Sequence, residues 1–264
     1  MKMSRVLIIV WALSAGLTAV QAQDRPWAGS FDGSFTFDGE TAAGTMTFVL
    51  RQEGANLRGR LGHEFADGGC VRVSELEGTL QDGLLYTDAQ ALDYTYLQTT
   101  VIAALYEEGE QAYLYGVFIG RACAGYEVAG QFLLRKLEAS NPPNIGGPYV
   151  GGLWSPTAEV RTRLFWFARR MERDVTIDRL TLQLPDMPPV GGQGQARVNP
   201  EGDRLEPASL TLDTPFGPLT LRLRDTSVSS NGDIIFGVLE WPLPTASLAR
   251  PPLPNLLVRR EYVH

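Results

Sequence analysis

Turn-forming residues punctuate this chain every eight to twelve positions between Phe31 and Leu137, and the stretches between them alternate apolar with polar side chains. That period-two pattern puts one face of each stretch in a core and the other in solvent, so it specifies strands rather than helices. Phe31, Phe35 and Phe37 lead into a turn at Gly39 to Gly44. Beyond it Met46, Phe48 and Leu50 alternate with Thr45, Thr47 and Val49. Further strands are predicted over 57–61, 71–80, 84–87, 94–106, 111–119 and 126–137, with turns at Glu53 to Asn56, Gln81 to Gly83 and Glu107 to Glu110. Asp88 offers the alternative of a helix cap leading to Leu105, but the β-branched run Thr99 to Ile102 favours strand. Short strands at this spacing predict a mainly β fold of antiparallel sandwiches or barrels.

The rhythm is interrupted at Ser140 to Pro148, where three prolines and two glycines fall within nine residues. Such a stretch cannot sustain a ladder of backbone hydrogen bonds and reads as a linker. The predicted organisation is a signal peptide at 1–22, a β-barrel-like domain at 23–139, a linker at 140–147 and a second β-rich domain at 148–264. Strands are predicted in the second half over 151–154, 175–184, 205–212, 219–224, 226–229, 234–241 and 256–263. The stretch 156–172 is read as a helix, with strand as the alternative: Ser155 caps, Pro156 takes the first position, and Val160, Leu164, Phe167 and Met171 recur at helical spacing. Gly191-Gly192-Gln193-Gly194 lacks the Lys-Ser/Thr of a phosphate loop and is read as a turn. The five prolines of Pro242 to Pro254 imply an extended segment lying on its own domain; Arg250 to Pro254 also has the form of a polyproline ligand.

Lys2 and Arg5 precede an apolar run from Val6 to Val20 that ends in Val20-Gln21-Ala22. This is the form of a signal peptide cleaved near Ala22, with an apolar run of about fifteen residues, short for a membrane span. Leu17 stands where a lipoprotein would need cysteine, so no lipid anchor is expected. The expected location is periplasmic or extracellular. Residues 23–264 then carry a net charge of −9, all of it in residues 23–138, which hold 17 acids against 8 bases. Without a basic stripe, nucleic acid and anionic membrane surfaces are poor partners.

Cys70 and Cys123 are the two cysteines, and in an oxidising compartment they are expected to form one disulfide. Closing that loop would stabilise the fold by about 4 kcal/mol in the chain-entropy account. A metal site using Cys70 with His63, Glu64 and Asp67 lacks the paired ligand spacing such sites use, so no metal and no cofactor are predicted.

Seven of the nine tyrosines fall between residues 86 and 126. Tyr94 with Tyr96, and Tyr113 with Tyr115, have the i, i+2 spacing that sets each pair on one strand face. They are the candidate ligand-binding residues, on the ground that rings with a polar tip suit a pocket wall or an interface; cross-strand packing is the competing role. No catalytic residues are predicted, since His63 and His264 are the only histidines and no Gly-x-Ser-x-Gly elbow supplies a nucleophile. The expected role is a non-enzymatic binding protein for a small apolar ligand or a protein partner. A hydrolase built on two carboxylates is the alternative.

The strand rhythm, opened by Trp27-Ala28-Gly29 and held by one disulfide, resembles the small secreted barrels of the lipocalin and avidin type over about 115 residues. The resemblance implies architecture and no binding residues. Trp27 precedes its glycine, unlike the lipocalin Gly-x-Trp signature.

Overall fold

The structure, a computed structural model, describes residues 27–37, 43–66, 69–93, 97–121, 127–156, 159–183, 187–240 and 254–262. These form sixteen antiparallel strands in two closed eight-stranded barrels, and no described residue is helical. The first barrel runs in chain order through β1 (Gly29–Phe37), β2 (Gly44–Glu53), β3 (Asn56–Phe65), β4 (Val71–Gln81), β5 (Leu84–Ala91), β6 (Gln98–Glu108), β7 (Gln111–Arg121) and β8 (Glu127–Lys136), and β8 pairs back onto β1. The second comprises β9 (Gly147–Ser155), β10 (Val160–Met171), β11 (Asp174–Gln183), β12 (Val190–Val198), β13 (Leu205–Thr214), β14 (Gly217–Val228), β15 (Ile234–Glu240) and β16 (Asn255–Arg260). Here the last strand closes the ring by inserting between β15 and β9. Closure removes the unpaired edges that an open sheet would expose.

Two sequence expectations are corrected. The stretch 156–172 contains strand β10, because the operative period is two: Thr162, Leu164, Trp166 and Ala168 are buried, while Arg163, Phe165 and Arg169 face out. Of the supposed helical stripe, Phe167 sits on the surface beside a register shift and Met171 is 81% exposed. The stretch Gly191 to Gly194 lies within β12 and is no turn. Gly194 lies opposite Leu210 and Ile177, and a Cβ there would come within 2.7 Å of Leu210 Cδ2 and 3.2 Å of Ile177 Cδ1. The glycine is thus a packing requirement of the barrel interior.

Among the described residues no strand of one barrel pairs with a strand of the other, yet the barrels share a third apolar core. Val49, Val71 and Val73 meet Ile234, Phe236, Val238 and Leu257 there, with Leu92, Leu137 and Trp154 at its margin. Gly62 belongs to this contact, since a Cβ would stand 2.9 Å from the Phe236 ring. Polar groups surround the apolar patch. Arg60 donates to Thr226 O at 2.9 Å and pairs with Asp225 at 3.1 Å; Arg259 donates to both oxygens of Asp32 at 2.9 Å and to Thr45 Oγ1 at 3.0 Å. Arg161 pairs with Glu64. The outer faces of β1 to β4 are therefore used against the second barrel. The connection after β8 packs as well: Ile145 is fully buried in the second core, and Ser140 N–H donates to Ser230 O at 3.0 Å.

Candidate functional site

Both barrel interiors are filled by side chains. Trp27, Phe31, Phe48, Phe132, Leu114 and Leu134 lie in the first core, and Trp166, Leu164, Leu210 and Val258 are among those in the second. An eight-stranded barrel is just wide enough for such filling. Surfaces are consequently the places where an extended partner would be met.

The outer faces of β5 to β8 point away from the interbarrel core. The register sets Tyr86 opposite Ile102, Ile102 opposite Val117, and Tyr115 opposite both Ala104 and Leu133. Because side chains alternate, Ile119 shares this face. It is an apolar, aromatic surface in which Tyr86, Ile119 and Leu133 are 38%, 44% and 45% exposed. At one end Tyr106 and Tyr113 stack with ring centroids 5.2 Å apart. Tyr115 Oη donates to Gln131 Oε1 at 3.2 Å, which satisfies its polar tip.

Of the four sequence-predicted tyrosines, Tyr113 and Tyr115 are therefore together on this outward face, while Leu114 between them points into the core. They line no part of the barrel interior. Tyr94 and Tyr96 lie outside the described residues, as do Tyr126 and the expected disulfide partner Cys123. Cys70 is buried just before β4. Reasoning from tyrosine spacing misses Tyr86, Ile102, Ile119 and Leu133, whose signal is the continued apolar character of the alternate positions on β5 to β8.

His63 and Glu64, adjacent in the chain and both of ligand type, diverge in the fold. Glu64 reaches out to Arg161 of the second barrel, whereas His63 points inward, with its ring 5.5 Å from Phe65 and 6.1 Å from Phe35. Burial, aided by the nearby Arg72 charge, lowers the His63 pKa to about 3, so the imidazole is neutral at ordinary pH. Among the described residues no cluster of His, Cys, Asp and Glu suits a metal ion.

The second barrel carries an open groove of about 880 Å³ on the outer face of β12 to β15, lined by Asp174, Glu206, Asp225 and Glu240 among others. It adjoins a smaller one of about 330 Å³ that shares Gln195 and Ser209 with it. Each of the four carboxylates faces an arginine: Asp174 with Arg197 at 3.5 Å, Glu206 with Arg204 at 3.7 Å, Asp225 with Arg60 at 3.1 Å and Glu240 with Arg224 at 3.1 Å. Among the described residues the groove holds ion pairs and no pair of unengaged carboxylates.

No protein-family model matches the chain, and no curated protein matches it significantly. Among solved structures it is similar to kievitone hydratase from Nectria haematococca, with 10% identity, 93% of each chain covered and a TM-score of 0.27. A superposition that loose carries no functional argument.

Proposed function

We propose that this is an exported, non-enzymatic interaction protein that docks a protein partner on the outer face of β5 to β8 in its first barrel. The observation that carries the reading is the contiguous surface of Tyr86, Ile102, Tyr115, Ile119 and Leu133 on the side away from the second barrel. Aromatic and aliphatic side chains left exposed together are the usual material of an interface, and rings such as Tyr115 lose little conformational entropy on binding. The acidic balance of residues 23–138 favours a partner whose own apolar patch has a basic rim. Export rests on the leader ending near Ala22, and a Cys70–Cys123 bridge fits the same compartment.

The carboxylate hydrolase alternative would place its cleft in the groove of the second barrel. The arginines engaged by Asp174, Glu206, Asp225 and Glu240 favour a structural role for those acids.

The test is affinity capture of the tagged mature chain from its native extracytoplasmic fraction, comparing wild type with Leu133→Asp and with Phe216→Asp. Phe216 is fully exposed on the second barrel and serves as the control. A partner retained by wild type and by Phe216→Asp but lost with Leu133→Asp is expected. Equal retention by all three would overturn the reading.

A further inference from the structure

The open groove on the second barrel is crossed by a row of polar side chains. Register sets Thr176 of β11 beside Gln195 of β12, Gln195 beside Ser209 of β13, Ser209 beside Arg222 of β14, and Arg222 beside Glu240 of β15. Their chain neighbours Ala196, Leu210 and Leu221 are buried, so alternation turns the row outward. At about 4.8 Å from strand to strand it spans roughly 19 Å. Gln195 and Ser209 line both the groove of about 880 Å³ and the adjoining one of about 330 Å³, which joins the two into one trough.

The strands themselves shape this trough. A β-bulge bends the strand that carries it, and register shifts here twice, between Ala196 and Val198 on β12 and between Arg224 and Ser227 on β14. Asp225, within the second shift, has a φ of 49°, in the left-handed region that residues other than glycine seldom enter. Its carboxylate pairs with Arg60 of the first barrel at 3.1 Å, so the groove reaches the junction of the two barrels.

Charge decides what the trough can take. Of the seven charged residues that line the larger groove, six are held in ion pairs. The seventh is Arg222. Among the described residues its guanidinium has no ion pair and no hydrogen bond, since Glu240 opposite it turns to Arg224 at 3.1 Å. The Gln195 amide and the Ser209 hydroxyl are likewise unengaged among the described residues. A guanidinium left in this way matches a carboxylate through two parallel hydrogen bonds, and amide and hydroxyl groups beside it both donate and accept, as alcohol groups require. Ile177 and Leu223 of the lining are buried and no aromatic side chain lines either groove, so a peptide anchored by apolar groups finds no seat. The larger volume lies within the range of about 300–1,000 Å³ usual for small-ligand sites.

The geometry points to a binding site across β11 to β15 for an acidic oligosaccharide, a short run of sugar rings bearing at least one carboxylate. The carboxylate accepts from the guanidinium of Arg222, and Ser209, Gln195 and Thr176 exchange hydrogen bonds with ring hydroxyls further along the row. This site is on the second barrel and stands or falls independently of the outer face of β5 to β8.

Isothermal titration calorimetry of the mature chain tests it, with trigalacturonate and sialyllactose as acidic probes, the methyl ester of the first and lactose as their neutral counterparts, and sulfate as a bare anion. Saturable binding of at least one acidic probe is expected, at least about tenfold tighter than its neutral counterpart. Arg222→Gln is expected to remove most of that preference while leaving the neutral counterpart unchanged. Gln195→Ala combined with Ser209→Ala is expected to weaken acidic and neutral probes alike. None of the three positions is buried, so the variants should melt as the wild type does. Binding of neither acidic probe, equal binding of acid and neutral counterpart, or unchanged affinity in Arg222→Gln would overturn the proposal. So would sulfate binding as tightly as the acidic probe, which would make Arg222 the seat of an adventitious ion only.

Discussion

Asn255, on the last strand of the second barrel, donates from Nδ2 to Asp93 of the first at 2.9 Å, and its side-chain oxygen accepts from Val73 N–H at 3.2 Å. Asn255 is fully buried, so it ties both barrels together where no water competes. Asn255→Leu keeps the volume and leaves Val73 N–H without that acceptor. The expected loss is about 1–3 kcal/mol of unfolding free energy, read from urea denaturation.

The apolar part of the same contact predicts cooperativity. Phe236 is fully buried in the shared core with Val71 and Val73 of the first barrel and with Leu257, its register partner on β16. Calorimetry of the intact chain should show one transition, because neither barrel can expose this core without the other losing it. Phe236→Ala should cost roughly 3–5 kcal/mol and broaden or split the transition. Two well-separated transitions in the wild type would show the barrels to be energetically independent.

Much of this architecture is legible in the amino-acid order itself. Turn spacing and period-two alternation specify antiparallel strands; the stretch Ser140 to Pro148 follows β8, but its last two residues, Gly147 and Pro148, already belong to β9 and pair with Ala168 and Phe167. Strand β10 is obscured because Val160, Leu164, Phe167 and Met171 fit a helical spacing by coincidence; the outward positions Phe165 and Phe167 are themselves aromatic, which blurs the alternation that would expose the strand. Strand β12 is hidden because Gly194 serves cross-strand packing with Leu210, a long-range fact that no local pattern encodes. The spacing of Tyr113 and Tyr115 confines them to one face, but which face depends on Leu114 and Phe118 being core. The neutrality of His63 depends on burial by residues distant in sequence, which the chain order alone does not show.

That burial gives a pH dependence with a definite sign. The folded-state pKa of His63 is lowered to about 3, below its value of about 6.5 in an unfolded chain, chiefly by burial and secondarily by Arg72. The unfolded state therefore binds a proton that the folded state refuses. The contribution of His63 is fully present above pH 6.5 and is lost as pH falls toward 3, at up to about 1.4 kcal/mol per pH unit. Urea melts between about pH 4 and 7 should show that slope, and His63→Phe should reduce it; an unchanged slope in the variant would place the dependence elsewhere.

The proposed Cys70–Cys123 bridge has its own check. Peptide mass mapping of non-reduced protein recovered from outside the cytoplasm should give one linked pair, and reduction should lower stability by about 4 kcal/mol at most. Two alkylatable thiols in that material would contradict it.

The central claim is that the outer face of β5 to β8 docks a protein partner, and site-specific photocrosslinking in the native cells tests it most directly. With the photoreactive residue at Ile119, a single adduct is expected that disappears when Leu133→Asp is added, a surface change expected to alter stability by no more than about 0.5 kcal/mol. The same residue at Phe216 should give no such adduct. An identical adduct from Phe216, or none from Ile119 while the folded protein is present at normal level, would contradict the account.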